Sequence, residues 1–193
     1  KYNKPNANQR KYLQDFFWRT SLSERYSQSL ESRMAQDIDK MDNILNNEKP
    51  TYDYSVEYSV DSIKENGTFA TNKSYIKAIL CLYAFNEPKS FNDNSIVNID
   101  NDCLKRANSK NYHHFFPIAF LKENNTKGSK ANNILNITII DDHLNKKEIS
   151  SNPPSAYMKK FLNENENLIE TMKTHLIGNL DEFGIWDNDY EKF

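Results

Sequence analysis

Glycine, proline and cysteine are all scarce in this chain. Four glycines and six prolines among 193 residues leave few positions for tight turns, which argues against a turn-rich β-sandwich. Eleven tyrosines and eleven phenylalanines favour helices packed through aromatic side chains instead. Cys81 and Cys103 form no C-x-x-C pair, so neither a disulfide framework nor a zinc ribbon is indicated.

Long apolar segments and an export signal are also absent. No run approaches the ~18–20 apolar residues that a membrane helix needs, and no signal-peptide pattern opens the chain. We therefore expect a cytoplasmic protein with no membrane partner. Because the chain begins at Lys1 rather than methionine, we expect a fragment of a longer protein. Its oligomeric state is not indicated.

The net charge of −2 conceals a basic segment. Residues 104–160 contain ten lysines and arginines but only four acidic residues, a local charge of +6. The remainder of the chain therefore carries −8. A basic segment of this kind is typical of nucleic-acid binding, although lysines also solvate ordinary loops. Four of its lysines are our candidate DNA contacts: Lys122, Lys130, Lys146 and Lys147.

Hydrophobic periodicity predicts a mainly helical fold in the first half of the chain. A helix over 8–20 is followed by a longer one capped by Ser23 and ended by Pro50. Its apolar stripe is Tyr26, Leu30, Met34, Ile38, Met41 and Leu45. Alternation over 52–60 indicates an extended segment. A buried helix capped by Thr71 or Asn72 ends before Pro88, and 86–111 is a linker of turns.

The second half of the chain predicts a small mixed motif. An extended segment ends at the His113-His114 pair before Pro117, and a β-branched strand covers 134–140. A helical turn at 118–122 and a polar loop at 123–130 separate them. Asp141 or Asp142 caps a short helix, and Ser155 caps a last long helix. We therefore expect a mainly α fold with two parts: a helical subdomain (1–95) and an HNH-like ββα region (96–193). The C-terminal helix of the second part is expected to pack on the helical subdomain.

Four side chains of this region suit phosphodiester hydrolysis. His114 is the candidate general base, since a neutral imidazole accepts a proton at cytosolic pH. His113 and Asn145 are candidate ligands of one divalent metal, which would leave positions open for phosphate and water. Asn136 is expected to pin the loop that orients His114, so that it supports catalysis indirectly.

These residues resemble the HNH (ββα-metal) endonuclease family. That family carries Asp/His-His-Ile-x-Pro, an Asn on the second strand, and a His or Asn nine residues later on the helix. Here the pattern reads His113-His114-Phe115-Phe116-Pro117, Asn136 and Asn145. The resemblance implies a metal-dependent nuclease acting on DNA. The expected metal is Mg²⁺ or Mn²⁺. Because His113 stands where many relatives carry an acidic ligand, Mg²⁺ would be held less firmly, and Ni²⁺ or Zn²⁺ could compete in vitro.

A wider resemblance covers nearly the whole chain. It is similar to the C-terminal half of GmrSD-type restriction proteins, bacterial phage-defence enzymes that cut modified DNA. The matching segments are Phe17-Trp18-Arg19, Ser23-Glu24-Arg25-Tyr26-Ser27, Lys73-Ser74-Tyr75-Ile76-Lys77-Ala78-Ile79-Leu80 and the His-His-Phe-Phe-Pro run. The resemblance implies a partner: an N-terminal ParB-like, nucleotide-hydrolysing domain of the same protein, which this sequence does not contain.

Two other functions remain open. The HNH fold could be degenerate and bind DNA or a partner domain without cutting, or the chain could be a helical interaction domain in which both histidines serve packing. Several polar residues also have structural interpretations: Arg25 as a pair within the helices, Asn132 and Asn133 as solvated loop residues, His143 and His175 without a role.

Overall fold

The fold is that of a computed structural model, which describes residues 4–97, 99, 112–126, 128–141 and 143–193. It is mainly helical, as expected, with one two-stranded antiparallel sheet among these residues. In chain order the elements are α1 (Ala7–Leu22), α2 (Leu30–Leu45), α3 (Val60–Asn66), α4 (Ser74–Phe85), β1 (Tyr112–His114), α5 (Ile118–Glu123), α6 (Gly128–Ala131), β2 (Ile137–Ile139), α7 (Pro154–Glu164) and α8 (Leu168–Thr174).

The first helix ends where the sequence suggested that the second would begin. Asn6 and Gln9 form a capping box at the start of α1. Ser23 closes that helix, because both its amide and its hydroxyl donate to the Arg19 carbonyl. The prediction that Ser23 caps α2 is therefore wrong. The second helix starts at Leu30, after Ser29 in a left-handed conformation (φ 52°).

The apolar stripe of α2 faces outward. Tyr26 lies before the helix, and four members of the stripe are between 46% and 60% exposed: Leu30, Met34, Ile38 and Leu45. The helix instead buries Asp37 and Ile44. The prediction that this stripe faces the core is therefore wrong. The helix turns Asp37 inward, where its carboxylate meets Arg25 and Tyr26.

The expected extended segment at 52–60 does not form a strand. The rings of Tyr52 and Tyr54 meet edge to face, with centroids 5.7 Å apart. The guanidinium groups of Arg19 and Arg25 lie over Tyr52 and Tyr54, at 4.6 and 4.3 Å from the ring centroids. The alternation of tyrosines therefore reflects contacts with cations rather than a pleated strand.

The central helix α4 is buried, as predicted, but begins later than its expected caps. Lys73 precedes it in extended conformation, so neither Thr71 nor Asn72 is the cap. Tyr75, Ile76 and Leu80 of this helix pack with strand residues in one hydrophobic cluster. This packing places the sheet against the helical part of the chain.

A second hydrophobic cluster includes the turn that follows β1. It is built on Phe91, Phe115, Phe116 and Phe161, with residues of α8 and the C-terminal segment around them. The predicted last long helix is in fact two helices, α7 and α8, separated at Asn165. The side-chain Nδ2 of Asn165 donates to the Phe91 carbonyl and to Thr171 Oγ1. The proposed domain boundary at 95–96 adjoins residues outside the described part and stays a prediction.

Candidate functional site

The two strands set the histidines on opposite faces of the sheet. The register pairs His113 with Thr138 and His114 with Ile137, and successive side chains of a strand alternate between faces. The expected strand at 134–140 is shorter, since Ile134–Asn136 form a 3₁₀ turn before β2. The short sheet thus presents one histidine to each side.

Asn136 holds the turn that follows His114. Its Oδ1 accepts from the Phe116 amide at 2.8 Å, and its Nδ2 donates to the carbonyls of Phe116 and Ala131, each at 2.9 Å. The Phe115 amide also donates to the Asn136 carbonyl at 2.8 Å. The side chain is fully buried, and its hydrogen bonds connect the turn after His114 to Ala131 of α6.

His113 and Asn145 meet, although 32 positions separate them in the chain. Nδ1 of His113 lies 2.8 Å from Oδ1 of Asn145. Asn145 belongs to a π-helical turn, Leu144–Ile149. The Leu144 amide at the start of this turn donates a hydrogen bond to Asp141 Oδ1 at 2.8 Å. Asp141 therefore acts at this turn as predicted, while Asp142 lies outside the described residues. The structure brings together the two candidate ligands.

Burial keeps the His113 ring neutral. The side chain is 3% exposed, and this burial lowers the pKa of His113 to about 3, against an opposing effect of the Asn145 contact. Because an amide oxygen only accepts hydrogen bonds, Nδ1 carries the proton in this contact. A neutral imidazole is the form that ligates metals.

His114 is oriented by a residue that we interpreted as a solvated loop residue. Its Nε2 lies 2.9 Å from Oδ1 of Asn132, whose Nδ2 donates to the Phe69 carbonyl at 3.3 Å. The interpretation of Asn132 is therefore wrong, and so is that of Asn133, which is buried and donates to the Lys64 carbonyl. No spacing rule indicated either residue, because asparagine is common throughout this chain.

The His114 ring is arranged to accept a proton on one nitrogen. The Asn132 oxygen accepts a hydrogen bond from the Nε2–H group, so the proton of the neutral ring is on Nε2 and the lone pair is on Nδ1. Burial lowers the pKa of His114 below its ordinary value, partly offset by the hydrogen bond to Asn132. The ring is therefore neutral near pH 7, as a general base must be.

A tyrosine outside the predicted site supports this turn. The Tyr157 hydroxyl donates to the Phe115 carbonyl, and the Tyr157 ring lies edge-on to His113 with centroids 6.3 Å apart. Burial raises the pKa of Tyr157 well above its ordinary value, so the hydroxyl remains a donor. The sequence indicated Tyr157 only as an apolar position of the last helix.

The donor set fits a cation only in part. His113 Nδ1 and Asn145 Oδ1 lie 2.8 Å apart, but the proton of Nδ1 occupies this contact, so in this tautomer the nitrogen offers no lone pair to a cation. In addition, no group of three or more His, Cys, Asp or Glu side chains is placed to hold a metal within the part of the chain described. Two neutral donors suit Mn²⁺, Ni²⁺ or Zn²⁺ better than Mg²⁺.

The candidate DNA contacts lie at the surface. Lys146 and Lys147 are exposed on the turn that carries Asn145, and Lys122 is exposed at the end of α5. Lys130 is offset by Glu191 at 3.6 Å. In the same basic segment Lys160 pairs with Glu148, whereas Lys105, Arg106, Lys110 and Lys127 lie outside the described residues.

Two of the remaining polar residues of interest, Arg25 and His175, are buried. Arg25 pairs with buried Asp37 at 2.7 Å, and the Tyr26 hydroxyl donates to the same oxygen at 2.8 Å. His175 is buried at the end of α8, and His143 is exposed.

In the described ranges no helix has the length and apolar character needed to cross a membrane.

Comparison with known proteins gives one distant relative. An uncharacterized protein of Methanocaldococcus jannaschii is 30% identical over 162 residues, which cover 79% of this chain and 25% of that protein. The chain therefore spans about a quarter of the relative's length. No protein-family model matches the chain, and no solved structure matches it.

Proposed function

We propose that this chain is a metal-dependent DNA endonuclease module of the HNH type. The observation that carries the proposal is the 2.8 Å contact between His113 Nδ1 and Asn145 Oδ1, the two residues that the resemblance marks as ligands. The same resemblance gives Asn136 a positioning task, and its two side-chain bonds to Phe116, in the turn after His114, support it.

His114 would act as the general base. Its Nδ1 takes a proton from a water molecule whose oxygen attacks the phosphorus, while the bond to the departing sugar oxygen breaks and that oxygen is protonated by solvent. Asn132 accepts from Nε2 throughout and so fixes the tautomer. Although His113 and His114 leave β1 on opposite faces, they are neighbours at the end of the strand, where a divalent cation held by His113 and Asn145 would supply positive charge to the phosphate that His114 serves. Lys146 and Lys147 would contact neighbouring phosphates.

The module would work inside a longer restriction protein. The resemblance to GmrSD-type proteins implies a ParB-like, nucleotide-hydrolysing domain as its partner in the same polypeptide. The aligned relative is about four times as long as the region that it shares with this chain, which supports a multidomain context. On this proposal the enzyme belongs to bacterial phage defence and acts in the cytoplasm.

One observation favours a second candidate, a degenerate HNH domain that binds DNA or its partner domain without cutting. Among the described residues the candidate centre offers an imidazole and an amide but no carboxylate. Such a site holds Mg²⁺ weakly, since Mg²⁺ prefers anionic oxygen ligands. Weak metal binding would leave DNA binding intact while abolishing hydrolysis.

Cleavage of supercoiled plasmid distinguishes the two candidates. The chain is incubated with Mg²⁺, Mn²⁺ or Ni²⁺, beside His114→Ala, Asn145→Ala and the control Asn163→Ala, an exposed asparagine of α7. We expect metal-dependent nicking that falls about 10²–10⁴-fold in His114→Ala, the usual contribution of a general base. Asn163→Ala should cut normally. Plasmid binding without cleavage in any metal would favour the degenerate domain.

A further inference from the structure

A cavity of about 260 Å³ lies between α4, the segment around β2 and the chain that follows α8. Protein cores contain few voids larger than one water molecule, whose share of liquid volume is ~30 Å³. An apolar cavity of ~150 Å³ is already large enough to bind benzene. The size of this cavity therefore indicates a binding site for a small molecule rather than an ordinary packing defect.

The walls of the cavity are apolar and largely aromatic. Aliphatic side chains of α3, α4 and β2 line it together with four aromatic rings, those of Tyr83, His175, Phe183 and Phe193. Phe183 and Phe193 meet edge to face, with centroids 6.0 Å apart, and a further ring packs favourably against such a pair. A flat aromatic molecule is therefore the shape that these walls accept best.

The part of the lining that the structure describes carries no charge near pH 7. It includes no lysine, arginine, aspartate or glutamate. Burial lowers the pKa of His175 to about 4 and raises the pKa of Tyr83 to about 12, so both side chains are neutral. An ion would lose its hydration in this cavity without gaining a counter-charge. The ligand is therefore expected to be neutral.

Thr138 also lines the cavity, and its hydroxyl has no hydrogen-bond partner among the described residues. The side chain is 3% exposed, and buried hydroxyls of native proteins are nearly always hydrogen-bonded. The two other polar side chains of the described lining are already engaged: Tyr83 donates to the Ile134 carbonyl at 3.4 Å, and His175 Nε2 lies 2.7 Å from the Lys89 carbonyl. Rotation between staggered rotamers changes the direction in which the Thr138 hydroxyl bonds. A ligand with one N–H or O–H group would give it a partner.

Two exposed leucines mark the entrance of the cavity, Leu82 of α4 and Leu176 after α8. The chain forms a Schellman motif there, since the Leu176 amide donates to the Lys173 carbonyl and the Ile177 amide to the Met172 carbonyl. Leu176 occupies the position of this motif that glycine usually takes, with φ 63°. A bulky residue rarely adopts that backbone conformation. The leucine therefore places an apolar side chain at the entrance, where a bound apolar molecule would contact it.

We propose that this cavity binds a small, neutral aromatic molecule, of the size of two fused rings and with a single N–H or O–H group, that bonds to the Thr138 hydroxyl and contacts Leu82 and Leu176 at the entrance. The inference goes beyond the proposed function. Neither candidate histidine nor Asn145 belongs to the described lining, so the inference holds whether or not the chain cuts DNA.

The test is isothermal titration calorimetry of this chain with indole and with indene, a hydrocarbon of the same shape in which a CH₂ group replaces the N–H group. Both compounds should bind saturably, and indole about fivefold more tightly, as one hydrogen bond of ~1 kcal/mol implies. Thr138→Val, which replaces the hydroxyl by a methyl group, should remove this preference while retaining the binding of indene. Absence of saturable binding of indole, or equal affinities of the two compounds in the wild type, would overturn the inference.

Two variants of α4 locate the bound molecule. Leu82→Trp enlarges a side chain at the entrance and should weaken the binding of indole at least tenfold. The control is Phe85→Trp, three residues further along the helix at a position that is 84% exposed and outside the described lining, which should bind indole as the wild type does. Wild-type affinity in Leu82→Trp would place indole elsewhere and overturn the inference. The comparison of indole with indene in the wild type requires no variant, so it decides the matter even if a variant fails to fold.

Discussion

At the scale of single residues, His175 shows how burial sets the charge of a histidine. Its Nε2 lies 2.7 Å from the Lys89 carbonyl, and its ring meets Phe91 edge-on with centroids 4.9 Å apart. Burial lowers the pKa of His175 to about 4, although the bond to Lys89 opposes the effect. The folded protein therefore keeps this ring neutral well into the acidic range.

This burial predicts a loss of stability in acid. In the unfolded chain His175 takes up its proton near the ordinary pKa of 6.5, whereas in the folded chain it does so only near 4. Between these values protonation favours the unfolded state, so the free energy of unfolding falls by up to ~1.4 kcal/mol per pH unit. Urea titrations from pH 7 to 4 measure that slope.

The variant His175→Gln isolates the contribution of this residue. Glutamine retains an N–H donor for the Lys89 carbonyl and does not titrate, so the pH dependence of unfolding should become shallower. The control is His143→Gln, at an exposed histidine, which should leave the slope unchanged. An equal slope in His175→Gln and the wild type would contradict the prediction.

The residues of the candidate site differ in how well the sequence indicates them. His113, His114, Asn136 and Asn145 are marked by a spacing that belongs to a known motif, so the sequence alone selected them. Asn132 and Tyr157 act through contacts with His114 and with the Phe115 carbonyl. Those contacts depend on tertiary packing and leave no regular interval in the chain.

At the scale of elements, α2 shows that an apolar stripe does not by itself identify the buried face. Asp37 points inward because Arg25, Tyr26 and Lys40 all meet its carboxylate. Burial raises the pKa of Asp37, but the hydrogen bonds from these groups lower it by more. The net result is a pKa below the ordinary value. The charged network therefore fixes the rotation of the helix.

Two isoleucines of α2 provide a matched test of this orientation. Ile44 is fully buried and Ile38 is 60% exposed. We expect Ile44→Ala to lower the free energy of unfolding by about 2–5 kcal/mol, as core truncations do. Ile38→Ala should change it by no more than ~0.5 kcal/mol, as at other surface sites. Chemical unfolding of both variants measures the difference, and a larger loss in Ile38→Ala would show that the stripe is buried.

Other elements were predictable to different degrees for physical reasons. The buried helix α4 and the extended His pair follow from dense apolar composition and from Pro117, which are local signals. The break between α7 and α8 follows from the bonds of Asn165 to Phe91 and Thr171. The first of these partners lies 74 positions away in the chain, so no local pattern could reveal it.

At the scale of the whole molecule, the candidate site depends on packing between distant segments. β1 contributes His113, and the turn after β2 contributes Asn145. His114 is tied through Asn132 to the Phe69 carbonyl, which precedes α4. The geometry of the site is therefore available only in the folded chain, where both hydrophobic clusters are formed.

This dependence predicts that metal binding stabilises the entire fold. A cation that binds only the folded state at 100 times its dissociation constant adds about 2.7 kcal/mol to the free energy of unfolding. For a chain of this size that corresponds to roughly 5–10 °C in Tm. Differential scanning calorimetry with Mn²⁺ or Ni²⁺ should show the rise, and Mg²⁺ a smaller one, because the two described donors are neutral.

Variants assign that stabilisation to the candidate site. Asn145→Ala removes one of the two donors and should abolish the metal-dependent rise in Tm, whereas Asn163→Ala on the exposed side of α7 should retain it. The Tm without metal serves as the reference for each variant, since losing the His113 contact itself costs stability. An equal rise in Asn145→Ala would place the cation elsewhere. No rise in the wild type with any metal would contradict the nuclease and favour either the degenerate domain or a helical interaction domain in which both histidines serve packing.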